Sequence, residues 1–265
     1  MPPLSEAGRS ALSTKVSVIA VVAALYAVGK GLTGPIPFPY SVGEVLIAVF
    51  IPAFFVVVSD TLPVAIGAGI GTFLGDYFVR TTPAISLVAG VPANFIAILL
   101  LGFFVKRYRS WPSFVAAVVA FVTLGNLIAA LNVVLFLGLN TSLIPGFVVA
   151  WNITGIPAII VGVPVLVRAV RPLFGRTRMI TNLPEWSGIL SRRQLIVSLA
   201  FPLFYTALGA VVYLVYGLGL GLGTPVASGS IGLIYFGLAA VLLLLFGPLF
   251  GAVGGGHPRA TPAAA

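Results

Sequence analysis

The chain has 265 residues, of which 60% are apolar and only 7% charged. Soluble domains carry about 25% charged residues, so this composition excludes an ordinary water-soluble protein. The net charge of +9 does not indicate nucleic-acid binding, because the basic residues lie in short segments that flank apolar runs and can contact anionic lipid headgroups. The chain has no cysteine and one histidine, His257, in a Gly/Pro/Ala-rich tail, so we expect no disulfide, no metal site and no cofactor.

Eight apolar runs indicate an all-α, polytopic transmembrane bundle. In lipid each backbone N–H and C=O must find its hydrogen-bond partner within the protein, so a span is a helix or a barrel strand. The runs lack the alternation of barrel strands. We expect the first run to be a retained helix rather than a signal peptide, because no convincing cleavage site follows it. The runs predict helices at residues 15–33, 43–58, 61–79, 83–105, 112–138, 147–170, 195–217 and 229–252.

The basic residues predict the topology. All 14 Lys and Arg residues except Lys30 and Arg80 lie on one side of the predicted helices. Cytoplasmic loops carry such an excess, so we expect a multi-pass protein of the plasma membrane with both ends in the cytoplasm. The predicted divisions are a cytoplasmic N-terminal segment (1–14), a six-helix substrate-binding domain (15–170), a basic cytoplasmic loop (171–194), a two-helix appendix (195–252) and a flexible tail (253–265).

Small residues recur at helical spacing. Gly67, Gly71 and Gly75 share one face of the third predicted helix, and small residues four apart let helix backbones approach closely in lipid. One such face can pack within the chain and another can receive a partner helix. The first predicted helix carries two such pairs, Ala20 with Ala24 and Ala23 with Ala27.

The acidic residues do not form a catalytic set. Asp76 and Arg80 are four residues apart and can pair on one helical face, either as a local salt bridge or as part of a site. No pair of acids shares a predicted span at helical spacing, and no nucleotide-binding or zinc-protease motif is present. We therefore predict no catalytic residue and no enzyme.

Uncharged polar residues inside the predicted spans indicate a pocket. Burying such groups without partners is costly, so they usually face the bundle or a cavity. Most belong to the outer half of the bundle, which predicts a binding site open to the outside; the alternative is that each Asn only joins helices. The uncharged polar residues inside the spans are Asn94, Asn126, Asn132 and Asn152, with Trp151 beside the last of them. The same outer half holds Tyr40, Glu44, Asp76 and Arg80, in or next to the outer loops.

The first predicted outer loop is rich in proline. Residues 33–40 read Thr-Gly-Pro-Ile-Pro-Phe-Pro-Tyr, and proline restricts the backbone, so the loop is stiff and extended. With its aromatic residues Phe38 and Tyr40, the loop predicts a lid over the pocket, or simply a connector.

Residues 15–170 resemble the substrate-binding S component of energy-coupling factor (ECF) transporters, particularly the archaeal kind. The resemblance rests on AALYAVGKGLTGPIPFPY at 23–40, IPAFF at 51–55, AIGAGIGTFLGD at 65–76 and AGVPANF at 89–95, in that order. The last two predicted helices are outside it, since S components normally end after the sixth helix.

The resemblance implies a six-helix protein that captures a small water-soluble vitamin or related micronutrient from outside. It implies partners: a transmembrane T component, which docks on the small residues of the first helix (Ala20, Ala23, Ala24 and Ala27), and two cytoplasmic ATPase subunits. It places ligand contacts at Tyr40, Asn94, Asn126, Asn132, Trp151 and Asn152.

Two other functions stay open. A self-contained eight-helix secondary transporter or facilitator would normally need an intramembrane acid, and the sequence places none at the middle of a span. A membrane enzyme acting on lipid would need clustered acids or histidines at one interface, and none are seen.

Overall fold

The computed structural model describes residues 6–34, 45–79 and 83–184. This part of the chain is helical and contains no strand, which confirms the predicted fold class at that level. A 3-10 turn, Leu46–Val49, leads into the second helix. The helices are α1 (Glu6–Thr33), α2 (Phe50–Val58), α3 (Thr61–Val79), α4 (Pro83–Arg107), α5 (Trp111–Leu137) and α6 (Ile144–Val170).

The observed bounds of α3 to α6 agree with those predicted from hydropathy to within three residues, whereas the α-helix predicted at 43–58 begins only at Phe50, after the 3-10 turn. Helix α3 has the predicted bounds, and α5 and α6 begin one and three residues early, respectively. Helix α1 begins at Glu6 rather than at residue 15, because hydropathy marks the stretch suited to lipid while the helical backbone continues beyond it. The helices predicted at 195–217 and 229–252 lie outside the described residues.

Four of the described helices are long and apolar enough to span a membrane: Ser10–Thr33, Pro83–Arg107, Ser113–Leu137 and Ala150–Leu173. The apolar stretch Leu46–Val58 is shorter. Large apolar side chains project outward, with Leu32 and Phe78 each 77% exposed. Such a surface is unfavourable in water and suits a lipid environment.

Helices α1 and α3 pack with their backbones in close approach. A Cβ atom at Gly71 would lie 2.8 Å from the carbonyl oxygen of Ala23, and one at Gly67 would lie 2.9 Å from that of Ile19. A Cβ at Gly75 would lie 2.7 Å from the Cβ of Lys30. The predicted role of the glycine face is confirmed, and its partner is α1.

The main apolar core lies at the end of the bundle where α2 ends and α3 begins. Val56, Val57 and Val58 have no exposed surface. They belong to a cluster with side chains from α1 and α3 to α6, among them Val22, Val64, Leu101, Phe114 and Ile160. This end therefore has an apolar interior.

Residues 177–184, which we call the strap, cover that end. The backbone N–H groups of Thr181 and Asn182 donate to the carbonyl oxygen of Val58 at 2.8 and 3.1 Å. Lys106 Nζ donates to the carbonyl oxygen of Ser59 at 2.7 Å. These bonds satisfy carbonyls that the end of a helix leaves without partners. The side chains of Met179, Ile180 and Leu183 pack against the core. The strap, which belongs to the predicted basic loop, is thus a packed part of the fold.

Replacing Leu183 by Asp is expected to speed trypsin cleavage after Arg178 by about tenfold, the equivalent of about 1.4 kcal/mol of lost local packing. Leu183 is partly buried against the core, whereas the side chain of Thr181 is exposed. Thr181→Asp adds the same charge to the strap and serves as the control. Equal cleavage rates for the two variants would show that the strap does not depend on its apolar contact.

Candidate functional site

A cavity of about 750 Å³, including the part open to solvent, lies at the opposite end of the bundle from the strap. It is surrounded by the ends of α1, α3 and α5 and the beginnings of the α2 segment, α4 and α6. Helices α4 and α5 pack closely at its wall, since a Cβ at Gly125 would lie 2.7 Å from the Cβ of Ala97. Apolar side chains form its base: Ala97, Ile98, Leu101 and Val122.

An ion pair forms one part of the cavity wall. Lys30 Nζ, in the last turn of α1, lies 2.8 Å from Asp76 Oδ1, near the end of α3, and both side chains are about 95% buried. The glycine face of α3 makes this contact possible because Gly75 lets α1 approach. Lys30 Nζ also lies 5.8 Å from the centre of the Tyr26 ring. A buried charge needs a partner of opposite sign, and the charges of Lys30 and Asp76 compensate each other in this pair.

The beginning of α4 carries a π-helical turn, Ser86–Gly90, beside this pair. Such turns are frequent at functional sites. Asn94 donates from Nδ2 to the carbonyl oxygen of Gly90 at 3.0 Å and accepts from the hydroxyl of Tyr26 at 3.3 Å. The turn and the Tyr26 hydroxyl together hold the Asn94 amide at the cavity wall.

Ser86 contributes a polar group without a partner. Its side chain is 4% exposed and lines the cavity, and its Oγ makes no hydrogen bond within the described part of the chain. A Cβ at Gly90 would lie 3.5 Å from both Ser86 Oγ and Asp76 Oδ2. Because an unsatisfied buried hydroxyl costs about 1–3 kcal/mol, Ser86 is available to bond a ligand.

Helices α5 and α6 supply another polar group and an aromatic ring. Asn126 Nδ2 donates to Asn152 Oδ1 at 2.8 Å, and Asn152 Nδ2 donates to Thr123 Oγ1 at 3.0 Å. Trp151, which lines the cavity, stacks on Phe147 with ring centres 5.6 Å apart. The bonded amides and the paired rings hold Asn126 and Trp151 in place.

Replacing Asn152 by Ala is expected to lower the free energy of unfolding by about 1–3 kcal/mol, because it leaves the buried amide of Asn126 without its acceptor. Asn132→Ala is the control on α5, where a half-exposed Asn donates to the carbonyl oxygen of Val88. Loss of this hydrogen bond should lower the free energy of unfolding by only about 0.6 kcal/mol. The measurement is the thermal midpoint of the protein in detergent. Equal shifts for Asn152→Ala and Asn132→Ala would show that the hydrogen bonds of Asn152 do not contribute more to stability than that of Asn132.

The structure brings together part of the predicted site. Asp76, Asn94, Asn126 and Trp151 line the cavity. Asn152 has no exposed surface and lies behind Asn126, and Asn132 is not among the lining residues. Asn94, Asn126, Asn132 and Asn152 also form hydrogen bonds that join two helices, which is the structural role that the sequence analysis gave as the alternative to ligand binding. Phe38, Tyr40, Glu44 and Arg80 lie outside the described residues, so the predicted lid and the Asp76–Arg80 contact stay predictions.

The four small residues of α1 divide between two environments. Ala23 is 4% exposed and packs on α3. Ala27 is partly buried, and its carbonyl oxygen would lie 3.3 Å from a Cβ at Gly75. Ala20 and Ala24 are exposed. Ala23 and Ala27 therefore face the chain's own α3, whereas Ala20 and Ala24 are on the exposed surface.

Two polar residues of the cavity wall were missed from the sequence, Lys30 and Ser86. Lys30 carried a signal, since it is one of two basic residues that break the charge pattern. Ser86 carried none, because a lone serine near the start of an apolar run is common.

Across the described ranges, no group of three His, Cys, Asp or Glu side chains is placed to hold a metal ion. Comparison of the chain with family models, curated proteins and solved structures yields no match.

Proposed function

We propose that this protein is the substrate-capture subunit of an ECF-type ATP-driven importer in the plasma membrane, and that it binds a small water-soluble vitamin or related micronutrient from outside. The observation that carries the proposal is the cavity, which combines a polar wall with an apolar base at one end of an apolar bundle. Ligand sites are typically concave, mostly apolar and equipped with a few polar groups.

The distribution of charge supports an outward-facing cavity. Lys106, Arg107 and Arg168 lie at the strap end, away from the cavity. By the positive-inside rule that end faces the cytoplasm, and the cavity faces outside. We extend the topology to both termini in the cytoplasm, with six helices in the substrate-binding domain and two in the C-terminal appendix.

The need for partners follows from the absence of an energy source in the sequence. The chain has no nucleotide-binding motif, so a T component and two ATPase subunits would drive uptake. The exposed Ala20 and Ala24 suit close packing of a partner helix. In this proposal no covalent bond is made or broken.

A second candidate is a self-contained secondary transporter or facilitator. The buried pair of Lys30 and Asp76 favours it, because ionisable groups inside a membrane protein often couple transport to protons or ions. Asp76 is near the end of α3, yet it is only 3% exposed.

Uptake by proteoliposomes separates the two candidates. The substrate is first identified by mass spectrometry of the small molecule that copurifies with the protein, and its labelled form is then used. We expect uptake only when the T component and ATPase subunits are included with ATP. Uptake down a gradient by the purified protein alone would overturn the proposed function and favour the second candidate.

A matched pair of variants tests the docking surface. Ala20→Leu/Ala24→Leu should abolish partner-driven uptake while ligand binding is retained. The control, Ala116→Leu/Ala120→Leu, makes the same change at the same spacing on the exposed surface of α5 and should leave uptake unchanged. Equal uptake by both double variants would contradict the proposal that the T component docks on α1.

A further inference from the structure

The hydroxyl of Ser86 differs from hydroxyls elsewhere in the helices. Thr14 and Thr72 each donate to the carbonyl oxygen four residues earlier, at 3.0 and 2.8 Å, which is a common way for a helix to satisfy a hydroxyl. Ser86 lies in the first turn of α4, and the position four residues before it precedes the helix, which begins at Pro83. Its Oγ makes no hydrogen bond within the described part of the chain, although the side chain is only 4% exposed. The start of α4 therefore leaves a buried hydroxyl unsatisfied on the cavity wall.

The π-helical turn that carries Ser86 is held in place by hydrogen bonds. The N–H of Val91 donates to the carbonyl oxygen of Ser86, five residues earlier. Pro92 has no N–H to donate to the carbonyl oxygen of Val88, and Asn132 of α5 donates to that oxygen instead, at 2.8 Å. Because these bonds fix the backbone, the turn does not readily rearrange to give the Ser86 hydroxyl a partner.

We infer that the Ser86 hydroxyl contacts the ligand and selects a solute with a hydrogen-bonding group, N–H, O–H or C=O, on the edge that meets α4. This inference rests on the proposed function, whose substrate it narrows. A serine hydroxyl both donates and accepts hydrogen bonds, so any of these groups would satisfy it.

Asn94 extends the same polar edge, one helical stretch further along α4. Its amide donates one N–H to the carbonyl oxygen of Gly90 and accepts one hydrogen bond from the hydroxyl of Tyr26. An amide has two N–H donors and two oxygen lone pairs, so one of each is left for a ligand. Ser86 and Asn94 thus offer hydrogen bonds to one side of a bound solute.

The unsatisfied hydroxyl has a cost and a benefit. In the ligand-free protein a buried hydroxyl without a partner lowers stability. In the complex the ligand supplies that partner, and an analogue without the matching group would leave the hydroxyl unsatisfied. A site built to bond a polar group rejects such an analogue more strongly than a site that only fits its shape. Ser86 should therefore increase affinity and selectivity at the expense of the stability of the ligand-free protein.

Ser86→Ala separates this role from a structural one, because stability and binding should change in opposite directions. Removing the unsatisfied hydroxyl should raise the thermal midpoint of the ligand-free protein in detergent by about 2–4 °C. The same variant should bind its ligand about tenfold more weakly. A lowered midpoint would show that the hydroxyl is already satisfied in the ligand-free protein and would overturn the inference.

Thr61→Val is the matched control. Thr61 Oγ1 is also buried without a hydrogen bond in the described part of the chain, but Thr61 begins α3 at the strap end and does not line the cavity. Removing its hydroxyl should raise the thermal midpoint by a similar amount and leave binding unchanged. Equal losses of binding in Thr61→Val and Ser86→Ala would overturn the inference, because the loss would then not come from a contact in the cavity.

Binding is measured with a mixture of the water-soluble B vitamins and a small-molecule cell extract. The purified protein is equilibrated with the mixture and separated from unbound compounds by size-exclusion chromatography, and the retained compounds are identified by mass spectrometry. The compound that the wild-type protein retains is then titrated into each variant. We expect wild-type affinity in Thr61→Val and about tenfold weaker binding in Ser86→Ala.

The outcomes distinguish the inference from the proposed function. Equal affinities of the wild-type protein and Ser86→Ala for the retained compound would overturn the inference and leave the capture function standing. A wild-type protein that retains no compound from the mixture would contradict the capture function, and the inference would fail with it.

Discussion

Asp76→Asn is expected to destabilise the protein by about 3–5 kcal/mol, because it breaks a buried ion pair by removing the carboxylate that lies 2.8 Å from the ammonium group of Lys30. Both side chains are about 95% buried, so solvation by water compensates little for the lost carboxylate. The measurement is the thermal midpoint of the detergent-solubilised protein, followed by the fraction that remains monodisperse in size-exclusion chromatography.

The control for this result is the double variant Lys30→Met/Asp76→Asn. Removing both charges leaves neither member of the pair without the other, so the double variant should recover most of the lost stability, and replacing a buried pair by neutral groups can be almost without cost. Additive losses in the two single variants and the double variant would contradict the coupling. The charged residues would then act on stability independently.

Gly71→Ala is expected to have the second large effect, a loss of about 1–3 kcal/mol from overpacking. The new Cβ would lie 2.8 Å from the backbone carbonyl oxygen of Ala23 and 3.0 Å from the Cβ of Tyr26. A backbone atom cannot turn away as a side chain can, so α1 must move as a whole. That movement would also displace Lys30 from Asp76, and we therefore expect a loss of ligand binding together with the loss of stability.

Gly69→Ala is the matched control on the same helix. Its Cβ would lie 3.5 Å from Val91 Cγ1, which is an ordinary contact. Both substitutions gain the same helix propensity, up to about 1 kcal/mol for Gly to Ala, so the difference between their thermal midpoints isolates the contact with α1. A Gly71→Ala protein as stable as Gly69→Ala would mean that the two helices can separate without cost.

The helices were predictable because the physical signal for them is local. A run of apolar residues long enough to suit lipid must be helical, since no water is present to bond its backbone. That rule located α3 at its observed bounds. It did not locate the first residue of α1, because polar residues before the span can continue a helix without any apolar signal.

The glycine face was predictable for the same reason, but its partner was not. The spacing of Gly67, Gly71 and Gly75 indicates a surface where another backbone approaches. Only the fold shows that α1 occupies it, through the side of α1 that carries Ala23 rather than the side that carries Ala20. Two equivalent stripes of small residues in one helix do not reveal which of them faces inward.

The candidate site was predictable only in part. Asn94 and Asn126 stand out in apolar runs and line the cavity. The sequence offered Arg80, four residues away, as a partner for Asp76, and that contact stays a prediction; it gave no indication of the contact with Lys30, 46 positions earlier in the chain. A contact between distant residues depends on how helices pack, and local spacing contains no information about it.

From the amino-acid order alone one learns that this chain is helical, suited to a membrane and basic at one end, because hydropathy and charge act on each segment separately. Tertiary structure decided which polar groups line one cavity and which of them are hydrogen-bonded or ion-paired to one another. It also decided which end of the bundle is packed with apolar side chains. Those properties depend on distances between segments, and the close approach of α1 to α3 places Lys30 beside Asp76.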